Sequence, residues 1–482
     1  MTQTHFFHEE ELIKILEECL NKTLGEVDSN NVFERTKIHP KITGIAGDVI
    51  EQSVLGYPAD VRQEPDLDVD GVKTELKTTG IRQKGRKFDA KEPMSITAVS
   101  PDNIINETFE DSNFWHKLEH LLFVYYLYDS PTPVKAAQYY DFPIKGYQFY
   151  EFDSEDKEIL KKDWEIVRDF IIKLQNEYDN YEDEYPRISY ELRPKLMYID
   201  TAPKWPNYPR FRLKRAVVSS IIKEHFGEKL EQLPKKYTSY SEIEQTLHEL
   251  SEKYKGRNVR ELIDLLNLNV NQVNKSIGEQ IVVNMFGGKS KKMQDIELLK
   301  KSCIIGKTIT LKETGKRKED MKFFTIDFTE FENEDIKFED SQMYDYFTNN
   351  KFLCILFQQP YKDAKMIENK FLGFKNLNFS QEFIENDVKK TWERIKYLIV
   401  NDKLKNVIET NKDGKPIINK KSGTIRQAPN FPKSADGNVF VRGTGSTAAK
   451  KPFTLNGIQM YYHQIWVKGL YIVDQLNQEE YI

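Results

Sequence analysis

Two series of short segments recur along the chain in one order, and this repetition constrains the fold more than any other feature. The first series reads Asn21-Lys22-Thr23-Leu24-Gly25-Glu26-Val27, Gly47-Asp48-Val49-Ile50-Glu51 and Glu75-Leu76-Lys77-Thr78-Thr79-Gly80. The second reads Gly256-Arg257-Asn258-Val259-Arg260-Glu261-Leu262, Gly278-Glu279-Gln280-Ile281-Val282 and Thr310-Leu311-Lys312-Glu313-Thr314-Gly315. The strand at Leu121, the helix at Trp164, the strand at Arg193 and the segment at Lys214 then have counterparts. These are Phe352 to Phe357, a helix with Trp392-Glu393, Val439-Phe440-Val441-Arg442 and Trp466-Val467-Lys468. One short match arises by chance; several in order do not, so the chain is read as one fold duplicated. The expected domains are 1–226 and 256–482. The intervening 227–255 carries Pro234 and a polar helix from Ser239 to Tyr254, striped by Ile243, Leu247 and Leu250. A length of 482 residues with 39% hydrophobic content is enough for two cores.

The chemistry concentrates in the run from Glu64 to Lys77. After the turn at Asp70-Gly71, Val72 to Thr78 reads as a strand, which puts Glu75 and Lys77 on one face, with Asp66 coming up from upstream. Two carboxylates and a lysine on one spot suit phosphodiester hydrolysis. The carboxylates hold Mg²⁺ through oxygen, the metal acidifies a water, and the lysine steadies that water or offsets charge on the phosphate. Taken alone, the same run also reads as a solvated strand edge. Upstream, Glu51 ends the first turns of a helix with Val54 and Leu55 following; downstream, Trp115-His116-Lys117-Leu118 leads into the apolar strand Leu121 to Tyr126.

With these motifs in order, the chain resembles the MutH family of mismatch-repair endonucleases and the related two-domain restriction enzymes that cut at GATC. The resemblance rests on Glu51, Pro65-Asp66, Glu75-Leu76-Lys77 and His116-Lys117-Leu118. It continues through Asp163-Trp164-Glu165, Tyr190-Glu191-Leu192-Arg193-Pro194-Lys195 and Phe211-Arg212-Leu213-Lys214. It implies an α/β fold of two tandem restriction-endonuclease-like domains, each a mixed central sheet flanked by helices. It also implies a type II enzyme hydrolysing double-stranded DNA at GATC with Mg²⁺. Asp66 and Glu75 would bind the metal with Glu51 completing the cluster, Lys77 would hold the water, and Lys117 would steady the phosphate from the neighbouring strand. Arg193, Lys195, Arg212 and Lys214 would line the DNA cleft. The stretch before Glu75 is longer than the family pattern by Lys73-Thr74, so either Asp66 or Asp68 supplies the turn carboxylate; Asp66 keeps the Pro-Asp pair.

Thr310 stands where Glu75 does in the first copy, and no Pro-Asp turn precedes it. Asp295 is far upstream and Glu313 is expected to face away from Lys312. A threonine brings no charge to a cation. The second copy is therefore read as non-cleaving and DNA-binding, with Arg442 and Lys468 among its contacts. It is expected to act as an effector that lets the chain engage two GATC sites, as a monomer that can pair on DNA. A mismatch-repair nickase and a non-cleaving methylation sensor remain as alternatives.

The net charge of −5 disfavours nucleic acid only as an average, because basic residues crowd locally. From Lys403 to Lys451, eleven Lys or Arg face three acids, which makes a phosphate-binding surface possible there. Lys84, Arg86, Lys87, Arg187, Lys204, Arg210 and Arg215 add to the basic clusters, while the acids between Asp153 and Glu184 belong on a surface away from DNA. Three cysteines without zinc spacing, no leader and no membrane-length apolar run fit a reducing cytoplasm. His116 and His120 have the spacing of a helical metal pair but no third ligand nearby. Gly287-Gly288-Lys289-Ser290 is discounted as a phosphate loop, since Val283 replaces the first glycine.

Overall fold

The run Leu121–Leu127 is buried at every position, as a strand covered on both faces must be, and the first sheet is built around it. The structure is a computed structural model. It describes the chain except residues 1–4, 41, 58–63, 131–133, 205–206, 271–272, 274–275, 318, 333–335, 412, 420–422 and 446–450. The fold divides into two compact units. The first comprises Met1–Ser130, Val134–Leu250 and Ile263–Gly306; the second comprises Ser251–Leu262 and Lys307–Ile482.

The strands of the first unit are β1 (Phe6–Phe7), β2 (Leu67–Val69), β3 (Val72–Lys84), β4 (Lys87–Ala90), β5 (Met94–Ala98), β6 (Leu121–Leu127), β7 (Ile144–Tyr150), β8 (Ile199–Lys204) and β9 (Asn207–Leu213). The main sheet runs β1-β2-β3-β6-β7 with β4 on β3, and a second sheet runs β5-β9-β8. β3 pairs with β6 in parallel and β6 with β7 antiparallel, so the main sheet is mixed. The helix Glu9–Cys19 buries Leu12 and Leu16 in a core shared with Leu76, Leu122 and Val124. The helix Ser154–Glu177 starts where Asp153 accepts from the amides of Glu155 and Asp156, and it buries Leu160, Trp164 and Val167.

The second unit repeats this plan. Its sheets use β10 (Ile304–Leu311), β11 (Met321–Thr325), β12 (Lys351–Gln358), β13 (Lys370–Leu377), β14 (Asn406–Ile408), β15 (Gln427–Pro429), β16 (Val439–Gly443), β17 (Phe453–Leu455), β18 (Ile458–Met460) and β19 (His463–Val467). The order β10-β12-β13 mirrors β3-β6-β7, and β11-β19-β16 mirrors β5-β9-β8. Lys214 and Lys468 each precede the last helix of their copy, Arg215–His225 and Gly469–Gln478. The expected tandem α/β architecture is what the fold shows.

The register of the second copy corrects one expectation. Tyr128 N donates to Ile81 O at the end of the β3–β6 pair, and Gln359 N donates to Leu311 O at the same point of the second. Counting back along the strand puts Lys307 level with Lys77 and Ile305 level with Glu75. Thr310-Leu311-Lys312 is thus shifted from the place expected of it. Lys312 and Glu313 lie in a turn closed by Gly315 N on Lys312 O, past the end of β10, so neither has a strand face.

The segment 263–306 is bound into the first unit through buried charge. Lys301, 4% exposed, reaches Asp156 and Glu297 at 2.7 Å each, and Tyr198 donates to Asp156 at 2.8 Å. The amides of Lys289 and Ser290 hold the Glu231 carboxylate at 2.6 and 2.7 Å, so the glycine-lysine-serine loop grips a side chain of its own chain.

Candidate active site

The two-residue turn Asp70-Gly71, with φ of 49° and 91°, closes the β2–β3 hairpin in the form an Asp-Gly pair favours. Val69 pairs with Val72, Asp68 with Lys73 and Leu67 with Thr74. The next step of that ladder sets Asp66 opposite Glu75, and Asp66 Oδ2 accepts from the Leu76 amide at 3.0 Å. Lys73 and Thr74, longer than the family pattern requires, are the residues that pair with this added strand. Asp68 is engaged in the turn, accepting from Gly71 N at 2.8 Å with Lys73 Nζ at 3.3 Å.

Glu75 is 2% exposed and lies between two ammonium groups. Lys77 Nζ is 2.7 Å from its Oε1, and Lys117 Nζ is 3.0 and 2.9 Å from its two oxygens. Lys77 and Glu75 thus share a strand face, as alternation requires. Lys117 comes from the turn between the helix Asn113–His116 and β6, not from a strand, and it also approaches Glu64 O at 3.4 Å.

Glu51 sits on a π-helical turn, Ile50–Val54, that continues the helix Ile45–Val49. Burial, then the nearby Asp66 and Asp48 carboxylates, push its pKa up to about 7. Burial, then Glu75, raise Asp66 to about 6 against the pull of Lys77 and Lys117. Glu51, Asp66, Glu75, Lys77 and Lys117 therefore form one electrostatic cluster. Its oxygen donors suit a hard divalent cation, and crowded carboxylates gain when one binds. Among the described residues no three acidic, histidine or cysteine side chains are gathered tightly enough to hold a metal as they stand. The Glu75 oxygens face Lys77 and Lys117, with which a cation there would compete.

A residue that nothing in the sequence marked supports this turn. His5 Nδ1 lies 2.7 Å from Asp66 O, its ring is 4.6 Å from that of Tyr57, and Asp68 N donates to His5 O at 2.8 Å. Its role depends on the parallel pairing of β1 with β2, which joins residues some sixty positions apart.

The expected DNA contacts are not all at the surface. Lys195 is exposed. Arg212 is held by both oxygens of Asp200, at 2.8 and 2.9 Å. Arg193 and Lys214 correct the expectation of an open cleft: they are 6% and 2% exposed. Lys214 donates to Leu196 O at 2.5 Å and offsets the charge of buried Asp163, which accepts from the amides of Met197, Tyr198 and Ile199. In the second unit Arg442 pairs with Asp320 at 2.7 Å and stacks over Phe440 and Trp466, and Lys468 is half-buried. Residues 412, 420, 421 and 450 of the basic stretch and the side chains of Lys84 and Lys204 lie outside the described residues. His116 ends its helix whereas His120 lies beyond it, 2.9 Å from Glu151, so they form no helical metal pair. Among the described residues no helix is long and apolar enough to cross a membrane.

Comparison with known proteins places the chain beside one family and one curated relative. Residues 55–163 match the family model described as DNA mismatch repair enzyme MutH, a span that includes Asp66, Glu75, Lys77 and Lys117 but not Glu51. The chain is 26% identical to the type II restriction enzyme Sau3AI of Staphylococcus aureus over 506 aligned residues, covering 95% of this chain and 96% of that one. The resemblance read from the sequence is borne out.

Proposed function

We propose that this MutH-type, site-specific deoxyribonuclease is a Mg²⁺-dependent restriction enzyme that cuts both strands of DNA at GATC, with its second domain acting as a non-cleaving effector. The observation that carries the reading is the convergence of Glu51, Asp66, Glu75, Lys77 and Lys117 on one site of a MutH-like domain. Asp66, Glu75 and Glu51 would hold the cation, which supplies charge stabilisation at the phosphate and a more acidic water. Lys77, released from Glu75, orients the attacking water. Lys117 offsets charge on the phosphate oxygens. Of the four first-domain cations expected to contact DNA, Lys195 and Arg212 lie nearer to solvent than Arg193 and Lys214, and Arg442 and Lys468 serve the second domain. GATC as target is supported by the likeness to the two-domain enzymes of this type.

A plasmid digest with and without Mg²⁺ tests the activity. Double-strand cuts at GATC are expected, whereas nicks alone point to a repair-type nickase and binding without cleavage to a methylation sensor. The effector role is tested on plasmids with one and two sites. Tethering raises the effective concentration of the second site, so two-site DNA should be cut faster. Equal rates remove the effector role.

A further inference from the structure

The last turns of the helix Lys389–Val400 and the segment after it line a concavity of about 350 Å³ in the second unit, at the start of the basic stretch that runs from Lys403 to Lys451. Leu398 and Leu404, 1% and 6% exposed, form its floor. The Tyr397 ring, 40% exposed, forms one wall, with Arg394 5.4 Å and Lys403 4.8 Å from its centroid. Asn430 also lines it and holds the segment in place: its amide donates to Lys403 O at 3.1 Å and its carbonyl accepts from Lys405 N at 2.9 Å.

Arg394, Lys403 and Lys405 are exposed, and among the described residues none has a carboxylate within 4.0 Å. Asp402 is the one acid of the lining, and its carboxylate accepts from Asn456 at 3.2 Å. Three positive charges therefore outweigh one negative charge and the roughly half charge of a helix C-terminus. Cations on a flat surface would hold phosphate alone. Here a partly exposed tyrosine ring, whose hydroxyl accepts from Lys403 and over which Arg394 and Lys403 lie, stands beside them with an apolar floor, within a volume typical of small-molecule sites.

We propose that this pocket takes one nucleotide unit of a DNA strand, with its phosphate on Arg394, Lys403 and Lys405 and its base stacked on Tyr397. The proposal rests on the reading of the second domain as DNA-binding and gives that domain a strand-binding pocket. The chemistry is shared by a free nucleotide, and the test separates the two sources.

The full-length chain in Ca²⁺ is titrated with a labelled single-stranded oligodeoxynucleotide across a range of salt. Lys403→Gln and Lys405→Gln should each lower the salt slope by roughly 0.7. Tyr397→Leu should weaken binding about tenfold while Tyr397→Phe should not, because stacking needs the ring alone. These side chains are exposed, so the variants should keep the wild-type melting temperature. Unchanged slopes and affinities overturn the pocket. Binding of thymidine monophosphate tighter than the oligonucleotide overturns the strand as its occupant. The one-site and two-site comparison is a separate measurement: if wild type fails it, the effector role falls while the pocket is still judged by its own titration.

Discussion

Glu75 holds two ammonium groups within 3.0 Å, and this contact joins the chemistry to the resting state of the site. Removing its carboxylate leaves Lys77 and Lys117 facing each other with no anion between them. Glu75→Ala and Lys77→Ala should both abolish cleavage and leave GATC binding in Ca²⁺ largely intact; full cleavage by either sinks the assignment. Asp66→Ala should abolish cleavage and Asp68→Ala should mainly loosen the hairpin, and the reverse pattern would move the ligand to Asp68. Glu51 and Asp66 also set a pH dependence. Their folded pKa values of about 7 and about 6 lie above the ordinary carboxylate range. The stability they contribute is present below about pH 4 and is lost as pH rises through 6 and 7. Glu51→Gln should therefore gain on wild type in metal-free unfolding between pH 5 and 8, by about 1–2 kcal/mol after allowing for solvent screening. The same titrations free oxygen for a cation, so the half-saturating Mg²⁺ concentration should fall between pH 5.5 and 7.5. A flat metal requirement across that range contradicts the shared cluster.

The hairpin from Leu67 to Lys84 brings Asp66 and Glu75 opposite each other. Its second strand and the turn before it were legible because strand alternation and a turn glycine are local signals, whereas the pairing of Leu67–Val69 that sets Asp66 opposite Glu75 was not. The π-helical turn under Glu51 was legible only as a helix, since a one-residue widening leaves the apolar spacing nearly unchanged. His5 was not legible, because its contact with the Asp66 carbonyl requires a long-range parallel pairing. Lys214 was misread for a related reason: a lysine in a basic run looks like a phosphate contact until Leu196 O and Asp163 surround it. Gly71 tests the hairpin. A Cβ there meets nothing within 4 Å, so the cost of Gly71→Ala is set by φ of 91° alone. Unfolding should show a loss of about 1–2 kcal/mol. Cleavage should fall further than that loss explains, because the turn fixes the level of Asp66. Wild-type kcat in a destabilised Gly71→Ala protein would detach the hairpin from the site.

Duplication was legible in the whole molecule as ordered pairs of motifs, and the sheet orders repeat accordingly. The share of the chain that completes the first unit was not, because it depends on buried charge. A chain ending at Phe226 contains every residue of the acid-and-lysine cluster but leaves Asp156 without Lys301. Breaking a buried pair from one side costs about 3–5 kcal/mol. The fragment 1–226 should unfold at markedly lower denaturant than 1–306 and cut DNA more weakly. Equal midpoints would make the 263–306 segment dispensable. The Asp156–Lys301 contact also orders events during synthesis. A ribosome that has made the whole cluster, which ends at Lys117, must still deliver 184 further residues before the ammonium of Lys301 can reach its carboxylate. The nascent chain therefore spends part of its elongation with every group of the proposed catalytic cluster made and the unit that carries them still without its buried Asp156–Lys301 pair.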